Sequence, residues 1–125
     1  MILLLDTHTF IWWLEDPQIL TAPARTEIAD TRNRVFVSDV SLWEIAIKRS
    51  LGELRIGIDL RKAVSNARFV SLPVDIDSIA LTEQLPLHHR DPFDRMLVAQ
   101  AITIGATLVT RDTRITAYAV PSLVA

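Results

Sequence analysis

Residues 2–7, Ile2-Leu3-Leu4-Leu5-Asp6-Thr7, decide the fold of this chain. Four consecutive apolar side chains are typical of a strand that is buried on both faces, as the strands of a parallel sheet are. Aspartate followed by threonine favours the start of a helix. The segment therefore predicts a strand over residues 2–5 that passes directly into a helix.

The same alternation of strand and helix continues along the sequence. Further strands are predicted at 35–37, 69–72 and 107–109, and residues 120–124 form at best an edge strand because Pro121 has no N–H to donate. Helices are predicted at roughly 9–15, 21–31, 59–67, 77–85 and 91–104. One more helix, capped by Ser38 or Ser41, reaches about Leu51. This order predicts an α/β fold whose mostly parallel sheet is covered on both faces and binds ligands beyond the carboxyl ends of its strands.

Length and composition narrow the possible functions. The chain has 125 residues, half of them hydrophobic, which predicts a single domain over residues 1–125. The absence of cysteine excludes disulfides and cysteine-bound metals and fits a reducing compartment. No apolar run has the length of a signal segment or a membrane span, so a cytoplasmic location without membrane attachment is expected. The net charge of −2 argues against a broad nucleic-acid-binding surface.

Four acidic residues lie where an α/β protein would bring them together. Asp6 and Asp112 follow predicted strands, and Glu44 and Asp94 lie on the apolar faces of predicted helices. Each acid also has a local explanation, because strand-end aspartates cap helices, Ser41 and Glu44 fit a capping box, and Asp94 suits a helix start. Carboxylates that converge repel one another and are normally balanced by a hard divalent ion, Mg²⁺ or Mn²⁺.

The helical periodicity assigns each helical acid to a buried stripe. On the third helix, Glu44 shares a stripe with apolar residues, and on the long helix Asp94 does the same. A carboxylate on such a face needs a partner or a metal ion, because an uncompensated buried charge costs several kcal/mol. The two stripes consist of Val40, Trp43, Ile47 and Leu51 around Glu44, and of Leu97, Val98 and Ala101 around Asp94.

Other chemistries fit the sequence less well. The histidines have no i, i+4 spacing, so a zinc site is not expected, and a loop or surface role is predicted for His88 and His89. A phosphatase of the haloacid dehalogenase type would need a second aspartate where His8 stands. A receiver domain would need a lysine after a strand, whereas Lys48 and Lys62 lie on predicted helices. No glycine-rich phosphate motif is present.

Four segments, in order and across nearly the whole chain, resemble the PIN domain family, and specifically the VapC type of toxin from bacterial toxin-antitoxin pairs. They are Leu5-Asp6-Thr7-His8 with Trp12-Trp13, Ser38 with Ser41-Leu42-Trp43-Glu44-Ile45-Ala46-Ile47-Lys48, His89-Arg90-Asp91-Pro92-Phe93-Asp94-Arg95, and Leu108-Val109-Thr110-Arg111-Asp112.

This resemblance implies a three-layer α/β/α sandwich and an endoribonuclease that depends on Mg²⁺ or Mn²⁺. It implies that Asp6, Glu44, Asp94 and Asp112 are the metal-binding acids and that the hydroxyl of Thr110 lies near the site. Its partners would be RNA, a cognate antitoxin protein and a second copy of the chain. Relatives often have another acid or asparagine shortly after the last aspartate. Here those positions hold Arg114, Ile115 and Thr116, which argues against a well-occupied second metal position.

Two classes of function stay open beside the ribonuclease: a PIN-like module that binds RNA or protein without cleaving, and a phosphatase or DNA nuclease that uses the same acids. Arginines lie next to Asp94 and Asp112 in the sequence. Of these, Arg95 and Arg111 are predicted to bind flanking phosphates; the alternative is that they are ordinary surface residues.

The apolar segment 10–14 is predicted to be either an interface or a helix buried between layers.

Overall fold

A computed structural model describes residues 1–125 and contains one five-stranded parallel sheet. The strands are β1 (Ile2–Leu5), β2 (Arg34–Ser38), β3 (Val70–Leu72), β4 (Thr107–Thr110) and β5 (Ser122–Val124), in the spatial order β3-β2-β1-β4-β5. The seven helices are α1 (Thr7–Glu15), α2 (Ala22–Ala29), α3 (Asp39–Ser50), α4 (Leu60–Asn66), α5 (Ile76–Gln84), α6 (Pro92–Ile104) and α7 (Thr113–Thr116).

The central strand β1 divides its side chains between two hydrophobic cores. Leu3 and Leu5 point into one core, together with Phe10 of α1, and Leu4 points into the other, together with Leu97 of α6. All three leucines of β1 are fully buried. The apolar run of the sequence is therefore continuous because both faces of the strand are covered, and the predicted three-layer sandwich is confirmed.

The strand order reverses beside β1. The chain moves from β1 outward through β2 to β3, and it returns to the other side of β1 with β4. Such a reversal opens a crevice beyond the carboxyl ends of the two strands, where α/β proteins bind ligands. The register pairs Leu5 with Val109, so Asp6 and Thr110 leave the sheet at the same level.

Most helix boundaries agree with the sequence prediction to within two residues, and the differences have local causes. Helix α1 begins at Thr7 because Asp6 is its cap, and α5 is capped by Asp75 rather than the predicted Asp77, since Asp75 accepts the N–H of Ser78. Ser38, not Ser41, caps α3. The 3₁₀ turn Pro17–Ile19 was not predicted. No helix combines the length and apolar character needed to cross a membrane.

The predicted buried stripe of α3 is only partly correct. Val40 and Glu44 are buried, but Trp43 and Leu51 are 62% and 64% exposed. The buried face is rotated from the predicted stripe by about a fifth of a turn, because α3 turns Ser41 and Ile45 inward beside Glu44. Trp43 lies at the surface, where its ring meets the edge of Phe93 at 5.6 Å between centroids.

Gly105 offers a test of the link between α6 and β4. It ends α6 with a φ of 67°, whereas Gly57 has no positive φ, and a Cβ added to either residue would meet no atom within 4 Å. Gly105→Ala should therefore lower the free energy of unfolding by about 1–2 kcal/mol through backbone strain alone. Gly57→Ala is the matched control and should show no loss in the same urea denaturation. Equal stabilities of the two variants would contradict this assignment.

Candidate metal centre

Asp6 both caps a helix and joins the crevice. Its Oδ1 accepts the N–H of Thr9 at 2.8 Å, which is the capping bond predicted from the sequence. Its Oδ2 accepts the hydroxyl of Thr110 at 2.6 Å, across the gap between β1 and β4. The capping and site interpretations are therefore compatible, since the two oxygens of one carboxylate serve them separately.

Glu44 is buried inside α3 and held by two partners. Its Oε1 accepts the hydroxyl of Thr7 at 2.7 Å, and its Oε2 pairs with the ammonium of Lys48, one turn along the helix, also at 2.7 Å. The pair with Glu44 raises the pKa of Lys48, and the charges of Asp91 and Asp94 add to the effect. The capping box is absent because Ser38 takes the cap, so Glu44 faces the crevice instead.

Asp94 lies at the start of α6 but does not cap it. Asp91 performs that task, accepting the N–H groups of Phe93 and Asp94 at 2.8 and 3.1 Å. The Oδ2 of Asp94 instead lies 2.9 Å from Nε2 of His89. Burial first, and then the charges of Asp91, Glu44, Asp6 and Asp112 in that order, together raise the pKa of the Asp94 carboxyl to about 7. The other three predicted acids therefore all act electrostatically on Asp94.

His89 lies in the loop before α6, as predicted, but it is buried in this centre rather than at the surface. Its Nδ1 accepts the N–H of Asp91 at 3.1 Å, so the ring proton is on Nε2. Nε2–H donates to Oδ2 of Asp112 at 3.3 Å, and Oδ2 of Asp94 lies 2.9 Å from the same nitrogen without an aligned hydrogen bond. The ligand atoms of the three groups lie within 4.8 Å of one another, as metal ligands would. A protonated nitrogen cannot bind a metal ion, so in this arrangement His89 is a hydrogen-bond partner of Asp112 and not a metal ligand.

Asp112 caps α7 and is bound tightly by an arginine. Its two oxygens accept Nε and Nη2 of Arg114 at 3.2 and 3.0 Å, and Oδ1 also accepts the N–H of Arg114. The side-chain bond to Arg114 is the largest cause that lowers the pKa of Asp112. The two aspartates beside His89 therefore have opposite pKa shifts, because burial and the neighbouring acids act on Asp94 and the arginine acts on Asp112.

The centre contains more negative than positive charge. Five carboxylates face two cations, which leaves three negative charges uncompensated at neutral pH if all the acids are ionised. Oxygen donors with this excess charge are the ligand set that Mg²⁺ and Mn²⁺ prefer. The residues present therefore fit such an ion. The carboxylates belong to Asp6, Glu44, Asp91, Asp94 and Asp112, and the cations to Lys48 and Arg114.

Arg95 and Arg111, which are predicted to bind flanking phosphates, use their guanidinium groups on backbone carbonyls in this structure. Arg95 donates to four backbone carbonyls, the strongest at 2.6 Å to Thr82, and so closes the end of α5. Arg111 donates to the carbonyls of Ile19 and Ala125 and lies 4.3 Å over the ring of Trp12. These bonds hold chain segments together. A different set lines a cavity of about 390 Å³ next to the acids, including His88, Arg90 and Arg114.

The fold and this acidic crevice agree with the comparisons to known proteins. The sequence model of the PIN domain matches residues 3–121. The chain belongs to the PIN domain family. It is 29% identical over 124 residues to a Mycobacterium tuberculosis (strain ATCC 25618 / H37Rv) protein named Ribonuclease VapC22, covering 94% of this chain and 92% of the relative.

Solved structures show the same PIN architecture at lower sequence identity. VapBC2 from Rickettsia felis, bound to a DNA fragment from their promoter, has a TM-score of 0.73 at 14% identity, with 98% of both chains covered. DNA-bound VapBC from Salmonella typhimurium has a TM-score of 0.67 at 18% identity, covering 98% of this chain and 97% of its own. At these identities the likeness establishes the fold.

Sequence reasoning missed two residues of this PIN domain's crevice, His89 and Lys48. The histidine spacing excludes a zinc site but says nothing about the role of His89. The informative feature is that His89 stands two residues before the helix cap Asp91, where its ring can accept the N–H of that residue. Lys48 follows Glu44 at i+4 on α3, a spacing that favours an ion pair. Both signals are in the sequence, but each becomes meaningful only once Glu44 or Asp94 is known to be buried.

Asp94→Asn tests whether the acids repel one another. Because the folded-state pKa of Asp94 is raised, the unfolded chain ionises this group from about pH 4 while the folded chain keeps the proton up to about pH 7. The stability of the metal-free protein should therefore fall across that window, by roughly 4 kcal/mol at most. In EDTA, the melting temperature of the Asp94→Asn variant should fall less between pH 5 and pH 8 than that of the wild type. At pH 8 the variant should melt at a higher temperature than the wild type.

Asp75→Asn is the matched control for this experiment, since Asp75 caps α5 away from the crevice. It should leave the melting temperature unchanged or lower it slightly, through the weakened cap. Millimolar Mg²⁺ should stabilise the wild type and the control alike, and the Asp94→Asn variant less. A lower melting temperature of Asp94→Asn in EDTA at pH 8 would show that Asp94 is merely a favourable residue at a helix start.

Proposed function

We propose that this PIN domain is a metal-dependent endoribonuclease and the toxin of a type II toxin-antitoxin pair. The observation that carries the proposal is the convergence of Asp6, Glu44, Asp94 and Asp112, from four separate elements, into one crevice with excess negative charge. The 29% identity to a protein named as a ribonuclease supports RNA as the substrate. Neighbours described as VapBC assemblies support the toxin-antitoxin role.

The crevice that the four acids form, with Thr110 beside them, would hold Mg²⁺ or Mn²⁺. When bound, such an ion polarises a phosphate oxygen and lowers the pKa of a water molecule. The chain's own residues keep the carboxylates in place for it: Thr110 and the N–H of Thr9 fix Asp6, and the hydroxyl of Thr7 and the ammonium of Lys48 fix Glu44. Orientation is therefore set before any ion arrives, which is the condition for an efficient site.

The cleavage reaction that we propose uses these carboxylates to position water. A water molecule, oriented by the carboxylate of Glu44 or Asp94, attacks the phosphorus in line. The bond to the 3′ oxygen breaks, and the downstream fragment keeps a 5′ phosphate. Arg90 and His88, which line the cavity beside the acids, bind flanking phosphates of a single-stranded or looped RNA.

RNA cleavage should require Mg²⁺ or Mn²⁺ and stop in EDTA. Asp6→Asn and Asp94→Asn should each reduce the cleavage rate by orders of magnitude while the circular dichroism spectrum is retained, because each removes one charged oxygen ligand. Asp75→Asn should cleave like the wild type. Gel analysis of labelled RNA and of DNA of the same sequence measures both the rate and the substrate class.

Three results would contradict the proposal in different ways. Cleavage that persists in both site variants would place the nuclease elsewhere or in a contaminant. Cleavage of DNA but not RNA, or release of phosphate from monoesters, would assign the same acids to another reaction. RNA binding without cleavage at any metal concentration would make the protein a binding module.

The partners that we propose are a cognate antitoxin and a second copy of the chain. Helix α1 offers little of its surface for them, because Phe10 and Ile11 are buried, Trp12 lies under Arg111 and Trp13 packs on Phe69. Three exposed apolar side chains, Trp43, Val74 and Ile79, meet instead at a groove between α3, α5 and α6. Its lining is Asp39, Val40, Trp43, Val74, Ile79 and Met96.

We propose that this groove seats an apolar segment of the antitoxin. Trp43→Ser should then weaken co-purification with the product of the adjacent gene, and Leu51→Ser, equally exposed at the C-cap of the same helix, should leave it unchanged. Light scattering of the same samples reports whether the chain is a dimer. Equal retention of the antitoxin by both variants would place its contact elsewhere.

A further inference from the structure

Asp112 differs from the other three acids in how its oxygens are used. A carboxylate offers about four lone-pair positions for hydrogen bonds or metal ions. Asp112 receives four donors, two on each oxygen: the N–H and Nε of Arg114 on Oδ1, and Nη2 of Arg114 with Nε2 of His89 on Oδ2. No acceptor position of Asp112 is left for an ion.

The remaining acids keep free acceptor positions. Asp6 receives two donors, one on each oxygen, and Glu44 likewise receives two. Asp94 receives no aligned donor, because the one Nε2–H of His89 donates to Asp112. The Oδ2 of Asp94 lies 2.9 Å from that nitrogen, and its other oxygen has no partner within the chain. The capacity to bind a cation is therefore concentrated on Asp6, Glu44 and Asp94, and it is exhausted on Asp112.

The Arg114–Asp112 pair forms from local sequence. The tripeptide Asp-Thr-Arg occurs at 30–32 as well as at 112–114, and Arg32 makes the same three bonds to Asp30, at 3.0, 3.0 and 2.8 Å. The first copy lies away from the crevice and holds only a turn. The second copy places the same guanidinium beside Asp94 and His89, where it becomes part of the charge balance of the centre.

Resting on the proposed function, we propose that Arg114 is a permanent second cation of this site, so that the protein binds one divalent ion, held by Asp6, Glu44 and Asp94. With Lys48 and Arg114 in place, the five carboxylates carry three uncompensated charges. One divalent ion leaves one negative charge. A second ion would make the centre positive and would have to displace Arg114 from Asp112, so the arginine excludes it.

Counting bound Mn²⁺ tests this assignment without any activity assay. Equilibrium titration, with free Mn²⁺ measured by electron paramagnetic resonance, should give one ion per wild-type chain at millimolar Mn²⁺. Arg114→Ala should bind two, because Asp112 regains its acceptor positions and the centre regains one negative charge. Arg114→Lys keeps the charge and should bind one.

Arg32→Ala is the matched control, since it removes the same local pair from the other Asp-Thr-Arg copy and should bind one ion. Arg114 is largely exposed, so its variants should fold, which circular dichroism verifies. Asp112→Asn should change the affinity of the single ion less than threefold, while Asp94→Asn should weaken it at least tenfold. These two variants distinguish a metal ligand from a residue that holds the arginine.

Two ions on the wild-type chain, or one ion on Arg114→Ala, would overturn the role of Arg114 while leaving metal-dependent catalysis intact. Equal weakening by Asp112→Asn and Asp94→Asn would also overturn it. If the wild type bound no Mn²⁺, both the proposed metal-dependent function and this inference would be wrong. Failure of the inference alone is therefore distinguishable from failure of the proposed function.

Discussion

Like charges held together in a buried crevice are the constraint on which this structure depends. Five carboxylates gather at the carboxyl ends of β1, β2 and β4, and burial together with its neighbours raises the pKa of Asp94 to about 7. A fold that crowds charge in this way is less stable than one without it, unless a cation is present. The residues gathered there fit a cation-binding site, and this is why the acids, rather than the sheet, indicate the chemistry.

The parallel sheet is what makes the crowding possible. The reversal of strand order beside β1 brings the ends of β1 and β4 together, and the hydroxyl of Thr110 bridges them by donating to Asp6. Helices α3 and α6 then begin at the same edge and supply Glu44 and Asp94. Each acid comes from a rigid element rather than a flexible loop, so its oxygens are held in position before any ligand binds.

The positive groups divide the centre into acids with different tasks. Lys48 pairs with Glu44, Arg114 occupies Asp112, and Nε2 of His89 lies within 3.3 Å of both Asp94 and Asp112. Burial and the neighbouring acids raise the pKa of Asp94, which has no lysine or arginine partner, whereas the side-chain bond to Arg114 lowers the pKa of Asp112. The two aspartates lie close together and look alike in the sequence, yet the arginine two residues beyond Asp112 separates their roles.

The sequence by itself determined the elements and the four acids. The apolar run 2–5, the caps Asp6, Asp59 and Asp91, and the stop at Gly105 act within a few residues, so local physics was enough to predict them. What only the tertiary structure decided is which groups the acids meet. The burial of His89 and the use of Arg95 and Arg111 on distant carbonyls depend on segments far apart in the chain. Periodicity cannot report such contacts, because it describes a residue's own element and not the element that packs against it.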